Sequence, residues 1–172
     1  VMIVGSEPVS MAAITTFNAA FAPYGLSPNA IKPSYGIAEA TLFVSTIAPD
    51  ASPTAVHLDR ECLADGRAVR VAADASGAVT QVSCGQVARS QWAVIVDPDS
   101  QTECADGRVG EIWLHGNNIA RRYWGRPEES RRTFDATLKS RLDTGSHADG
   151  APTAATWLRT GDLGVYLDGE LY

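Results

Sequence analysis

The chain has 172 residues, of which 45% are hydrophobic and 20% charged, with a formal net charge of −6 and a sequence pI of about 5.0. That balance describes a globular protein and argues against nucleic-acid binding, since basic residues occur only as short pairs such as Arg121-Arg122 and Arg131-Arg132. No apolar run is long enough to span a bilayer, and Cys62, Cys84 and Cys104 are too scattered for a zinc site or a disulfide framework; a reduced, cytoplasmic setting fits them best.

Val1–Val4 predicts a buried strand. Ser6 and Pro8 supply a helix start, and Val9, Ala13, Phe17, Ala20 and Phe21 then fall near helical spacing to about Ala22. After a "PYGLSP" turn, Ala30–Pro33 and Leu42–Ile47 predict short strands flanking "SYGIAEAT", Ser34–Thr41. This opening is a strand–helix–strand, α/β pattern. Beyond Pro49 short β-like runs take over: Ala55–Leu58, Arg67–Ala72, Thr80–Cys84, Trp92–Val96, Glu111–His115 and Leu163–Leu167. Asp-Gly pairs at 65–66, 106–107, 149–150 and 168–169 punctuate them, a spacing that suits a small β-barrel or sandwich; of these a small distorted β-barrel is the expected form. One helix is expected from Pro127 to about Leu138, with acids in its first turn. Ser140–Thr156 is small, polar and rich in Gly and Pro, and predicts a mobile surface loop.

Three segments can carry chemistry. "RTGD", Arg159–Asp162, puts a carboxylate at the end of a tight turn, where it can accept both hydroxyls of a vicinal diol such as ribose. On four residues alone, a turn-capping aspartate is the simpler reading. "GSEP", Gly5–Pro8, joins a strand to a helix; glycine allows close approach of a flat ligand, although alone the motif reads as an ordinary strand–helix turn. "SYGIAEAT" holds Tyr35, able to stack on a purine, Glu39, a hard oxygen donor suited to Mg2+, and Thr41, which could meet a phosphate; singly, each reads as structural. His57, His115 and His147 stand apart and read as non-catalytic, and Tyr123 and Trp124 read as packing residues.

Taken in order, "GSEPV", "SYGIAEATLFVST", "GRVGEIWLHGNNIARRYWGRPEESRRTF" and "WLRTGDLGVYLDGELY" resemble the adenylate-forming, acyl-CoA synthetase superfamily over nearly the whole chain. Within it the chain is most similar to the fatty-acid–AMP ligases of mycobacterial, mycolic-acid type. "YGIAEATL" is typical of that branch, and Val56–Ala78 occupies the place of its insertion. The resemblance implies a parent enzyme that converts a long-chain fatty acid and ATP, with Mg2+, to acyl-AMP and pyrophosphate. The acyl group would then pass to the acyl carrier protein domain of a polyketide synthase. It implies that Gly5, Ser6, Glu7 and Pro8 lie along the adenine, and that Ser34, Tyr35 and Gly36 contact it. Thr41 would belong to the same nucleotide site, Glu39 would hold Mg2+, and Asp162 would grip the ribose. It also implies a division into an α/β nucleotide-binding part (residues 1–50), a ligase-type insertion (51–80) and a β-barrel part (81–172) with the loop 140–156. The insertion would disfavour use of CoA.

Two departures stand out. Arg122 replaces the glycine usual in the family's "ARGY", which would strain a turn that needs positive φ. The phosphate loop and catalytic lysine of the superfamily have no counterpart here, since neither Lys32 nor Lys139 sits in a matching motif. The chain is therefore expected to be an internal fragment holding half a site, inactive alone and prone to self-association through uncovered apolar edges. An acyl-CoA synthetase and a non-catalytic β-rich binding module are the alternatives.

Overall fold

The computed structural model describes residues 1–172. The first strand, β1 (Met2–Val4), pairs in parallel with β2 (Ile31–Tyr35), and helix α1 (Met11–Phe21) forms the crossover between them. Ser10, not Ser6, caps that helix by accepting a hydrogen bond from the Ala13 amide at 3.3 Å. Chain reversal after β2 brings β3 (Ser45–Thr46) antiparallel to it. A hairpin of β4 (Ala55–Asp59) and β5 (Ala78–Val82) follows, with a short helix α2 (Arg60–Ala64) between its arms. Asp59 starts α2 by accepting from the Cys62 amide at 2.8 Å, and the run Arg67–Ala72, expected as a strand, returns beside β4 to form only single bridges, Leu58 with Arg70 and Arg67 with Arg108. Strand β6 (Gln86–Val87) then completes a first sheet in the order β1-β2-β3-β6.

The second sheet is antiparallel. It contains β7 (Gln91–Asp97), β8 (Thr102–Glu103) and β9 (Gly110–Gly116). Helix α3 (Pro127–Phe134) leads on to β10 (Leu158–Gly164), and the spatial order is β10-β9-β7-β8. Strands β11 (Tyr166–Leu167) and β12 (Glu170–Leu171) close the chain as a hairpin through Asp168-Gly169, both at positive φ. The chain is mixed α/β with a β-rich remainder, as expected, but its strands form open sheets and no closed barrel. After β10 the chain forms a separate two-stranded hairpin, and Leu171 bonds the backbone of Cys84 and Gly85 just before β6.

Strand periodicity builds two cores. Ala93 and Ile95 of β7 and Ile112 and Leu114 of β9 face one side, packing with Ala40, Val44, Phe134, Leu158, Tyr166 and Leu171. Val94, Val96 and Trp113 face the other, against Ala136, Ala148, Ala151, Ala155 and Trp157. Both faces are covered, which explains the unbroken apolar runs of β7 and β9. The cover on the second face is the segment expected to be a mobile loop. Its small alanines pack closely over two tryptophans, and two side-chain anchors, half-buried Arg141 and buried Glu103, satisfy its backbone. Arg141 donates to the carbonyls of Ala148, Ala151 and Pro152, while Glu103 accepts from the Leu142 and His147 amides and the Ser146 hydroxyl.

The N-terminal part is less well covered. Strand β1, expected to be buried, lies at the sheet edge with Ile3 65% exposed; on α1 only Ile14 is buried, and Phe17 and Phe21 are 37% and 45% exposed. Such a contiguous apolar face is expected to drive self-association. Light scattering should show oligomers whose fraction rises with concentration, and Ile3→Lys combined with Phe17→Lys should shift them to monomer; a wild-type chain that stays monomeric throughout would disprove the expectation. No helix is long and apolar enough to cross a membrane.

Candidate functional site

The RTGD segment falls within β10, where the pairing with β9 slips between Arg159 and Leu163. This bulge lifts Thr160, Gly161 and Asp162 out of the ladder. The Thr160 hydroxyl donates to the Ile112 carbonyl at 2.7 Å, and the Asp162 amide donates back to Thr160 Oγ1 at 3.1 Å. Glu111 fixes the rest. Its Oε1 accepts from the Gly161 amide at 3.0 Å, and its Oε2 accepts from Trp113 Nε1 at 2.9 Å and from Arg159 Nε and Nη2 at 3.1 and 2.9 Å. Burial by itself would push the Glu111 carboxyl up, but these hydrogen bonds and the Arg159 charge together hold it below the usual carboxylate range.

The bulge aims Asp162 across the gap between the sheets. Tyr35, at the end of β2, donates its hydroxyl to Asp162 Oδ2 at 2.7 Å. Burial first, and then this bond to a carboxylate, drive the Tyr35 phenol well above its ordinary range. Asp162 Oδ1 accepts no hydrogen bond from the protein. A cleft of about 510 Å3 opens here, within the roughly 300–1,000 Å3 usual for small-molecule sites. Seven of the expected residues line it: Ser6, Glu7, Pro8, Ser34, Tyr35, Gly36 and Asp162. Thr80, Gln81 and Val82 of β5, with Cys84 and Tyr172, are also in its wall; nothing in their local sequence signalled this.

Gly5 lines a neighbouring hollow with Ile3, Leu42 and Phe43. Its lack of a side chain is accounted for by the fold, since a Cβ there would stand 2.6 Å from the Ser34 carbonyl oxygen. Gly36 is more constrained still, with a Cβ position 1.7 Å from the Leu42 oxygen.

Glu39 and Thr41 do not line the cleft. Glu39 sits on a single 3-10 turn, Ala38–Ala40, after which Thr41 and Leu42 both adopt left-handed backbone at φ 55° and 76°. Two consecutive non-glycine residues in that region cost about 1–3 kcal/mol each, so the surroundings must impose them. Asn118 donates Nδ2 to the Ala40 carbonyl at 2.7 Å, the Ala120 amide bonds the Glu39 carbonyl at 2.7 Å, and Gln91 holds the Phe43 and Val44 carbonyls at 3.0 Å each. The Thr41 hydroxyl gives its proton to the Asn118 carbonyl at 2.6 Å, so it is an anchor of this loop with no proton left for a phosphate. At the tip, Tyr123 donates its hydroxyl to Glu39 Oε1 at 2.5 Å, and that bond, with partial burial, lifts the Tyr123 phenol to about 12. Glu39 Oε2 receives no protein donor.

One free carboxylate oxygen on a fixed side chain suits Mg2+, which is commonly held by one or two carboxylates plus substrate phosphates and water. No group of three or more His, Cys, Asp or Glu residues could cage a metal without such a substrate. The donor set therefore fits a magnesium ion that arrives with a polyphosphate. The histidines bond elsewhere, to Thr80, the Thr156 carbonyl and Asp106 respectively. Trp124, expected to pack, is fully exposed.

The family described as AMP-binding enzyme matches residues 1–124. The long-chain-fatty-acid–AMP ligase FadD32 of Mycobacterium marinum is 57% identical over 98% of this chain and 27% of its own length. The protein of the same name from Mycolicibacterium smegmatis is 55% identical over 98% of this chain and 26% of its own. A crystal structure of the fatty acyl-adenylate ligase from Legionella pneumophila, in complex with acyl adenylate and pyrophosphate, superposes with a TM-score of 0.84 at 36% identity, over 99% of this chain and 27% of that one. The chain thus spans about a quarter of the length of the relatives it matches.

Proposed function

Because the chain belongs to the AMP-binding enzyme family, we propose that it forms the adenosine-binding wall of a longer ligase that joins a long-chain fatty acid to AMP. The Tyr35–Asp162 hydrogen bond carries the proposal. It places a carboxylate with one uncommitted oxygen at the mouth of a cleft bordered by an aromatic ring and a backbone free of side chains. A purine fits against Tyr35 and Ser6–Pro8, and the ribose hydroxyls are then within reach of Asp162. Glu39, oriented by Tyr123, would hold Mg2+ at the phosphate end, where the ion supplies charge neutralisation for phosphoryl transfer.

In the reaction, a fatty-acid carboxylate oxygen bonds to the α-phosphorus of ATP as the bond to the bridging oxygen breaks, and pyrophosphate leaves. Both reactants are anionic, so the protein's contribution is positioning and fixed electrostatics. The acyl group then passes to the phosphopantetheine arm of an acyl carrier protein of a polyketide synthase, as in mycolic-acid assembly. Residues 1–50, 51–80 and 81–172 act as the nucleotide-binding, insertion and β-rich parts. The insertion, whose β5 borders the cleft, disfavours CoA. The three free cysteines suit a cytoplasmic enzyme.

The test is the full open reading frame expressed and supplied with ATP, Mg2+ and a long-chain fatty acid. Acyl-AMP and pyrophosphate are expected, with no acyl-CoA on adding CoA. Efficient acyl-CoA release would replace the AMP-ligase reading with a CoA ligase, and no ATP-dependent activation of any carboxylic acid would leave a binding module.

A further inference from the structure

A second charged feature lies apart from the nucleotide cleft. Arg121, Arg122, Arg126, Arg131 and Arg132 are five of the 14 Lys and Arg residues of a chain with net charge −6. Five of the other nine have partners within the protein: Lys32 bonds two carbonyls, Arg67 lies 3.8 Å from Asp65, Arg70 pairs with Asp168, Arg141 bonds three carbonyls and Arg159 pairs with Glu111. In the cluster only Arg126 has a partner, Glu129 at 3.0 Å.

Arg121, Arg122 and Arg131 line one cleft of about 530 Å3 with Pro127, Ser130 and Asp135. Three guanidinium groups share it with a single carboxylate. Like charges gathered without compensation raise the energy of the free protein and create a positive potential that an anion relieves. The backbone beneath them is fixed: buried Ser130 donates to the Arg126 carbonyl at 2.6 Å and accepts from the Tyr123 amide at 2.9 Å, and Tyr123 packs edge-on against Phe134 at 5.1 Å. Arg122 replaces the glycine of the related "ARGY" pattern, yet its backbone is not among those at positive φ. The strain expected from that replacement is therefore absent, and what the residue adds is the third guanidinium.

We propose that this arginine-lined cleft is a binding site for a phosphoryl group, distinct from the nucleotide cleft. Guanidinium forks match phosphate oxygens in geometry as well as charge. The site lies behind Tyr123, whose hydroxyl holds Glu39. Two sources share the chemistry, pyrophosphate departing from the reaction and the phosphodiester of a phosphopantetheine arm. Assigning a source rests on the proposed adenylation, whereas phosphate binding itself does not.

The full-length enzyme that contains this chain is titrated with inorganic pyrophosphate and, separately, with 4′-phosphopantetheine, each read by calorimetry. At least one probe is expected to bind. Arg122→Gly should weaken it about tenfold, Arg121→Ala with Arg131→Ala should remove it, and Asp135→Asn should tighten it. Preference for pyrophosphate assigns the leaving group, and preference for phosphopantetheine assigns the carrier arm. No binding of either probe, affinity no better than for sulfate, or affinity unchanged in the arginine variants would overturn the proposal. AMP binding in the Asp162 cleft, measured on the same variants, should be unaffected, which separates this result from the adenylation reading.

Discussion

Replacing Glu111 with alanine is expected to destabilise the protein by about 2–4 kcal/mol, read as a lower urea midpoint with an unchanged slope. Glu111 is 6% exposed and accepts from Trp113, Arg159 and Gly161 at once. Without it, a buried indole N–H and a backbone amide lose their acceptor and a guanidinium loses its counterion. Loss of one partner from a fully buried pair costs about 3–5 kcal/mol; the expected figure is smaller because the Arg159 side chain keeps 36% of its surface in water. Glu111→Gln should retain part of this stability, since the amide oxygen still accepts although the charge is gone.

The same carboxylate predicts a pH dependence. Its folded pKa lies below its unfolded value, so the stability it contributes is complete above the ordinary carboxylate pKa and is lost as pH falls through the lower folded one. Wild type should therefore lose stability in that acid window faster than Glu111→Gln. Parallel acid limbs would show that Glu111 is not the group responsible. Because Gly161 hangs from Glu111, the bulge should loosen along with the stability. Glu111 is thus a positioning residue for Asp162.

What the sequence revealed depended on how local each cause was. The α/β opening, strands β7 and β9 and the Asp168-Gly169 hairpin follow from short apolar runs, helical spacing and turn chemistry, which act over a few residues. Strand β1 was legible as a strand, but its exposure was not, because burial depends on what covers it. Ser140–Thr156 looked mobile because its composition is polar and small; its order comes from Glu103 and Arg141, whose partners include residues up to 44 positions away. The site divides in the same way. Asp162, Tyr35 and Ser6–Pro8 were found from their motifs, and the fold brings them to one cleft. Glu111 was hidden in plain sight within "GEIWLHG", where alternation marks it only as one more strand position. A carboxylate sandwiched between apolar residues of a strand buried on both faces was the available signal. The apparent strain at Arg122 was an inference from glycine's usual role, and the backbone there has no need of it.

The largest functional effect is expected at Asp162. In the full-length enzyme, Asp162→Ala should lower kcat/KM for ATP by roughly a hundred- to ten-thousandfold, since two hydrogen bonds to a charged acceptor contribute roughly 1.5–3 kcal/mol each. Asp162→Asn, which keeps one acceptor oxygen, should lose about tenfold. Tyr35→Phe should fall between wild type and Asp162→Ala, because it removes the donor that orients Oδ2 and leaves the charge in place. These losses alone would not distinguish a ribose contact from a collapsed turn, but a substrate analogue does. With wild type, 2′-deoxy-ATP should react more slowly than ATP because it lacks a hydroxyl for Asp162 to accept. With Asp162→Ala the two nucleotides should react alike, since the partner of that hydroxyl has gone. If the deoxy penalty were the same in both enzymes, Asp162 would not hold the 2′-hydroxyl, and its bond to Tyr35 would serve only to join the two sheets.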